Sequence, residues 1–431
     1  MSQHPENTAT ATGPASPENP GDAPHGEAGF TLIELIIGTF ILVEMMVVGY
    51  LLFDVSTKTA RVQSDLADLQ QSQRVANYDL VRNVRMAGRG GVTGPVAINV
   101  TDNVDGDTFT VGGNEVVDGT DVLTVRGVLS NPIWLPNTGA GYTYDQGSST
   151  GTLFVDSLNN QGIAQDLSLL QSVIDDGLPV PLVLVSLEDP SIYAVVLLSG
   201  GAIGPADIDN DGSVEPGEER ATINFDAAAA STNNDAYLPL SWGGAFPQAL
   251  AQGAVPAWVG ILEEYRYYVR NDTESVTGGS PKLSRAQFYP NTNTLYRGDA
   301  ANGRVDIADN VVDLQIALGL DLNDDGTIAE DDSAPDTDEW LFNHEDDTDT
   351  DQYWGLGDAD GAWGNATLFQ VRVSTLVRSE RRDNTFISDY LPTLENHEVD
   401  PSPQPADNDQ LADRRFRRRV MRSVVDLRNV S

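Results

Sequence analysis

Between Phe30 and Phe53 the chain reads FTLIELIIGTFILVEMMVVGYLLF, 24 residues whose apolar character is broken by two charges, Glu34 and Glu44. As a helix this run is about 36 Å long, enough to cross a bilayer core of ~30 Å. A segment so long and so apolar must lie in lipid or be enclosed by other chains. An unpaired charge in hydrocarbon costs at least ~2.5 kcal/mol, so Glu34, near the start of the run, predicts a specific partner. Glu44 stands about 80° from Glu34 around a helix. It reads either as a second intersubunit pair or as a residue beside a polar neighbour or water.

From Asp54 to Met86 the sequence stays free of Pro and Gly, and Val62, Leu66, Leu69, Gln73, Ala76, Leu80 and Val84 recur at steps of three and four. That spacing predicts a helix with one apolar stripe. A single helix from Phe30 to about Met86 is expected, stopped by Gly88, Gly90 and Gly91. Its first half (30–53) is the transmembrane or filament-core part and its second half (54–88) the part a sheet can cover. Residues 1–29 are rich in Pro, Ala, Thr and Asn, lack apolar periodicity, and read as a leader outside the fold. The leader has no Lys or Arg, whereas Lys58 and Arg61 follow the span, so the positive-inside rule alone would orient the helix the other way.

Beyond residue 92, runs rich in Val, Ile, Leu and Tyr alternate with clusters of Gly, Asp, Asn and Pro. Strands are expected at 121–126, 152–155, 181–186, 193–198, 261–270, 283–288, 368–378 and 418–427. A long N-terminal helix followed by a mostly antiparallel sheet is an α+β arrangement. The head is expected to span 89–431, with large loop insertions near 200–255 and 320–366.

The chain has 65 acidic and 25 basic side chains, a net charge of −40, and two lysines, Lys58 and Lys282. Such a field repels nucleic acid and attracts cations. Seven of the bases fall between Arg414 and Arg428, but Phe416 is the one aromatic among them. The segment therefore reads as a strand whose arginines pair with carboxylates, and no nucleic-acid partner is expected. The absence of Cys removes disulfides and thiolate metal sites.

Two acidic stretches match the loop D-x-[DN]-x-[DN]-G that wraps Ca²⁺ in oxygen ligands. In the first, Asp207, Asp209, Asp211, the carbonyl of Ser213, Glu215 and Glu218 occupy the ligand positions, with Gly212 at the turn. In the second they are Asp321, Asn323, Asp325, the carbonyl of Thr327 and, at the twelfth position, Asp332. The flanks read as loop and strand, so isolated loops holding structural Ca²⁺ are expected, without paired helices. Catalysis finds little support. His344 and His397 sit in acidic loops, and Gly147-Ser-Ser149-Thr-Gly151 has a loop before a strand where a nucleophile elbow needs a strand before a helix. No enzyme activity is expected.

The junction Gly29-Phe30 followed by Thr-Leu-Ile-Glu34 and the apolar run resembles the type IV pilin signature. The resemblance implies that a prepilin peptidase cuts after Gly29, that the new amino group of Phe30 is methylated, and that Glu34 neutralises the terminal amine of a neighbouring subunit. Further along, LQQSQRVANYDLVRNVRMAG (69–88), GTDVLTVRG (119–127), YRYYVR (265–270), PKLSRAQF (281–288), IADNVVDLQIALGLD (307–321), FQVRVSTLVRS (369–379) and RRRVMRSVVDLRN (417–429) resemble, in order, the PilW kind of minor pilin. This implies a non-catalytic subunit that primes pilus assembly. Its expected partners are other major and minor pilins and the inner-membrane assembly platform. The precursor would cross the inner membrane once, head in the periplasm, before moving to the pilus and cell surface. A minor pseudopilin of type II secretion and a tip adhesin or ligand-binding subunit are the alternatives.

Overall fold

The computed structural model describes residues 30–431 except 91–93, 107, 137–140, 160, 178–179, 190–191, 209–210, 228–245, 272–279, 291–294, 297–302, 324, 331–338, 345–352, 356–365, 406 and 428–431. The leader, Gly29, Asp209 and Asp332 therefore lie outside the described residues. The fold is α+β, with one long N-terminal helix and antiparallel sheets carrying loop insertions. Two compact units divide at Val62 and Gln63.

The helix runs from Leu32 to Met86. In the first unit every residue from Phe30 to Phe53 is exposed. In the second, Leu69, Gln73, Ala76, Leu80, Asn83 and Val84 are buried, a stripe that follows the three-and-four spacing of the sequence. The stripe starts later than expected, because Leu66 remains 39% exposed. Asn83 joins it, since its amide donates to the Tyr267 hydroxyl and so enters the core with a partner.

Three larger sheets make the head. The first runs in spatial order Arg304–Asp309, Pro281–Phe288, Glu263–Asn271, Val122–Gly127, Ile98–Thr101, Tyr353–Trp354. Its strand Val122–Gly127 is buried along its whole length. The third has the order Trp340–Leu341, Val311–Asp321, Thr367–Arg378, Arg418–Asp426. Helix, first sheet and third sheet share one core, where Leu80 and Val84 meet a cluster including Val125, Val269, Ile316 and Val373. The second sheet has the order Ile133–Trp134, Pro256–Ile261, Pro181–Ser186, Tyr193–Pro205, Glu219–Asp226, Thr150–Asp156, Tyr142–Asp145. It has its own core, closed by a short helix, Ser168–Asp176, through Leu170 and Val173.

The regions marked as insertions feed these sheets. Glu219–Asp226 lies between two strands of the second sheet, and Trp340–Leu341 and Tyr353–Trp354 add to the third and first. A polar clasp reinforces the helix stripe. Asp79 accepts from the Tyr267 hydroxyl at 2.7 Å and from the Arg285 guanidinium at 3.1 Å. Replacing Leu80 by Ala should remove about 2–5 kcal/mol from the head through lost burial and a residual cavity. Chemical denaturation checks this; an unchanged midpoint would mean the stripe does not hold the sheets.

Candidate functional site

The site at the N-terminal end of the helix is built by local chemistry. Thr31 and Glu34 stand three residues apart, the spacing of a capping box. The Thr31 hydroxyl accepts from the Glu34 amide at 3.3 Å, and Glu34 Oε2 accepts from the Thr31 amide at 3.0 Å and from its hydroxyl at 2.9 Å. Glu34 is thereby folded back over the first turn, where its charge also meets the positive end of the helix dipole. These bonds use one carboxylate oxygen and leave Oε1 outside the box. The sequence reading assigned Glu34 only to a neighbour and missed the box, although the T-x-x-E spacing was its signal. Along the same run, Thr39 turns its hydroxyl onto the Ile36 carbonyl at 2.9 Å, which removes a free donor from an apolar surface. Lys58 pairs with Asp54 at 2.7 Å just past the run. This is the single helix among the described residues long and apolar enough to cross a membrane.

The two acidic loops share one design. The first joins antiparallel strands Tyr193–Pro205 and Glu219–Asp226. Asp207 Oδ2 accepts from the Gly212 amide at 3.0 Å, Asp211 Oδ1 from the Ser213 amide and hydroxyl at 2.8 and 2.7 Å, and Glu218 Oε2 from the Glu215 amide at 2.9 Å. Asp207 Oδ1 is buried with no donor. The Ser213 bonds hold the Asp211 carboxyl below its ordinary pKa. In the second loop Asp321 Oδ2 accepts from the Gly326 amide at 2.8 Å, Asn323 Oδ1 from the Asp325 amide at 2.8 Å, and Asp325 Oδ1 from the Thr327 amide and hydroxyl at 2.8 and 2.6 Å. Gly212 and Gly326, both at the sixth loop position, have φ of 93° and 77°, values open to glycine. Among the described residues no group of three or more His, Asp or Glu side chains is already gathered as a metal set.

The second loop recruits a residue that sequence spacing did not select. Glu339, 3% exposed, accepts from the Ala329 amide through Oε2 at 2.8 Å and from the Leu322 amide through Oε1 at 3.2 Å. Ala329 holds the ninth loop position, as Glu215 does in the first loop. Glu339 thus makes the bond to the ninth amide that Glu218 makes in its own loop, although it lies beyond the twelve-residue window. The pairing of Trp340–Leu341 with Leu318 and Gly319 brings it back.

The basic C-terminal segment is used internally. Arg417 pairs with Asp383 at 2.9 Å, Arg418 with Asp400 at 2.6 Å, and Arg422 with Glu395 at 3.0 Å, while Arg414 donates to the Pro403 and Ser388 carbonyls. Ser149, with φ 57°, sits in the turn between strands Tyr142–Asp145 and Thr150–Asp156, with no helix after it.

Residues 266–429 match the family model of the type IV pilus-assembly protein W, PilW. The match takes in strands of the first and third sheets, both of which share a core with the helix. The chain is a member of the type IV pilin and pseudopilin superfamily. A solved type IV-like pilin from Thermus thermophilus aligns over 62% of this chain and 96% of its own at 11% identity, with a TM-score of 0.20, a likeness on which no argument rests. No curated protein matches the chain. Its general role is that of a structural subunit of this superfamily with an N-terminal helix.

In this pilin, Thr31→Ala removes the capping box, and such substitutions cost about 0.5–2 kcal/mol of helix stability. Amide exchange at residues 32–35 of the chain in detergent micelles should speed up accordingly. Equal exchange in both proteins would remove the box from the account.

Proposed function

We propose that this chain is a minor pilin of the PilW kind, built into a type IV pilus through its N-terminal helix and acting in assembly rather than turnover. The observation that carries the reading is the run from Phe30 to Phe53, exposed throughout, bearing one carboxylate with a free oxygen in its first turn. In this reading the inner-membrane precursor is cut between Gly29 and Phe30, and the liberated Phe30 amine is methylated. The helix then leaves the bilayer by exchanging lipid contacts for contacts with other pilin helices. Glu34 Oε1 takes the terminal amine of the neighbour while Oε2 stays in its own capping box. The partners are the peptidase, the assembly platform and other pilins, with the head periplasmic and then at the cell surface.

The two acidic loops belong to the same proposal as structural Ca²⁺ loops. Asp207, Asp209, Asp211, the Ser213 carbonyl, Glu215 and Glu218 hold one ion. Asp321, Asn323, Asp325 and the Thr327 carbonyl hold the other, with Glu339 as the long carboxylate in place of Asp332. Support comes from Asp207 Oδ1, buried with no donor, and from the shared bond to the ninth amide. In a chain of net charge −40, ions there would also offset local repulsion between carboxylates.

Glu34→Ala should leave processing intact and weaken docking by about 1.5–3 kcal/mol, a ~tenfold or greater loss from sheared pilus fractions. Normal incorporation of the variant would remove Glu34 from the mechanism. For the loops, Ca²⁺ at a hundredfold excess over its dissociation constant should add ~2.7 kcal/mol per site. Glu339→Gln should abolish one of two calorimetric binding events. Two unchanged events would return the role to Asp332, and no binding by the parent protein would end the calcium reading.

A further inference from the structure

A buried cluster at the junction of the first and third sheets is used by none of the above. Asp102 follows the strand Ile98–Thr101, and Asp121 precedes its neighbour Val122–Gly127. Asp121 has no exposed surface and accepts from the Asn103 amide at 2.9 Å and, across to the third sheet, from the Ile316 amide at 2.6 Å. Asp102, 6% exposed, accepts from the side-chain amides of Asn396 and Asn103 at 2.9 and 3.0 Å. The register Thr101↔Val122 sets Asp102 opposite Asp121, and both groups bind Asn103. Two buried carboxylates sharing one site repel each other unless a proton neutralises one of them.

Beside them Asp313, also buried, meets His397 Nδ1 through Oδ2 at 2.8 Å and accepts from Gln315 Nε2 at 2.8 Å. The other imidazole nitrogen rests on Gly119, φ 74°, where a Cβ would lie 2.5 Å from it. Asn396 and His397 both belong to the hairpin formed by Thr393–Leu394 and His397–Glu398. Asn103 Oδ1, Gln315 Oε1 and Asn396 Oδ1 are all buried acceptors without a donor. The junction is thus rich in acceptors and short of protons.

We propose that this cluster is an acid-closed latch: a proton shared by Asp102 and Asp121 and an imidazolium at His397 hold the Thr393–Glu398 hairpin onto the junction of the two sheets, and their loss releases it. The charged groups around the latch are Asp102, Asp118 and Asp313 facing His397, and Asp102 and Asp313 facing Asp121. Burial pushes the Asp121 carboxyl well up, with the Asp102 charge adding to it, and burial likewise raises Asp102. At His397 burial opposes charging, but the bond and charge of Asp313, with Asp102 and Asp118, carry the balance upward.

The carboxyl pair and the imidazole therefore each hold a proton in the folded state that the unfolded chain would release. The His397 contribution is complete below its ordinary value of 6.5 and fades as pH climbs through the raised one; the carboxyl pair fades from 3.8 upward in the same direction. The imidazole is 28% exposed in its side chain, so protons can reach it.

The test is amide hydrogen exchange of the full-length chain in detergent micelles with chelator, at about pH 5 and about pH 8, corrected for intrinsic rates. Protection of residues 393–398 should fall ~tenfold for each unit of raised pKa crossed, more than in the strand Val122–Gly127. Asp102→Asn, which supplies a permanent donor and takes the carboxyl pair out of the titration, should show a smaller fall between the two pH values, set by His397 alone. Equal protection at both pH values, or an Asn variant that follows the parent profile, overturns the latch. Should that variant not fold, the His397 ring proton titration by NMR in the parent decides: a midpoint above the ordinary His value supports the latch, and one at or below it overturns it.

Discussion

Burial of one face of the helix between Leu69 and Val84 is the contact on which the head depends. Leu69, Ala76, Leu80 and Val84 supply apolar surface to a core that the first and third sheets share, joined by Val183 and Val185 of the second sheet. Two polar groups at its margin are satisfied in place, Asn83 by Tyr267 and Asp79 by Tyr267 and Arg285. The run Phe30–Phe53 at the start of the same helix is exposed throughout. An apolar surface of that extent is stable only in lipid or against other helices, which is why the same element that organises the head points to membrane and assembly.

Scarcity of bases shapes the rest. With 25 basic against 65 acidic side chains, many arginines act as internal staples and leave an acidic exterior. Arg126 is buried with Glu264 at 2.5 Å, Arg372 joins Glu395 at 3.2 Å, and Arg418 grips Asp400. Breaking such buried pairs costs more than the pairs contribute, since an uncompensated charge remains. The C-terminal arginines belong to this pattern: they tie the 383–400 segment to the last strand of the third sheet.

Helix and strand periodicity made much of the fold legible before any coordinates. The strands Pro181–Ser186, Thr367–Arg378 and Arg418–Asp426 lie within a residue of their expected bounds, because each is a run of apolar or β-branched residues closed by turn chemistry. Ser168–Asp176 was not legible: its N-cap, Leu167, makes no side-chain bond, and nine residues carry little periodic signal. The expected strand 261–270 proved to be two, Pro256–Ile261 and Glu263–Asn271, which belong to different sheets and part at Leu262. At the sites, short-range spacing revealed the acidic loops. Glu339 and the placing of Asp102 opposite Asp121 were hidden because strand pairing, not sequence distance, brings them into place.

The central claim is that this chain enters a filament by its helix after losing its leader. Intact-mass spectrometry with N-terminal sequencing of the protein recovered from cells tests it most directly. The account predicts a chain that begins at Phe30 and carries one added methyl group on its amine. Recovery solely of chains that begin at Met1, with residues 1–29 still attached, contradicts it.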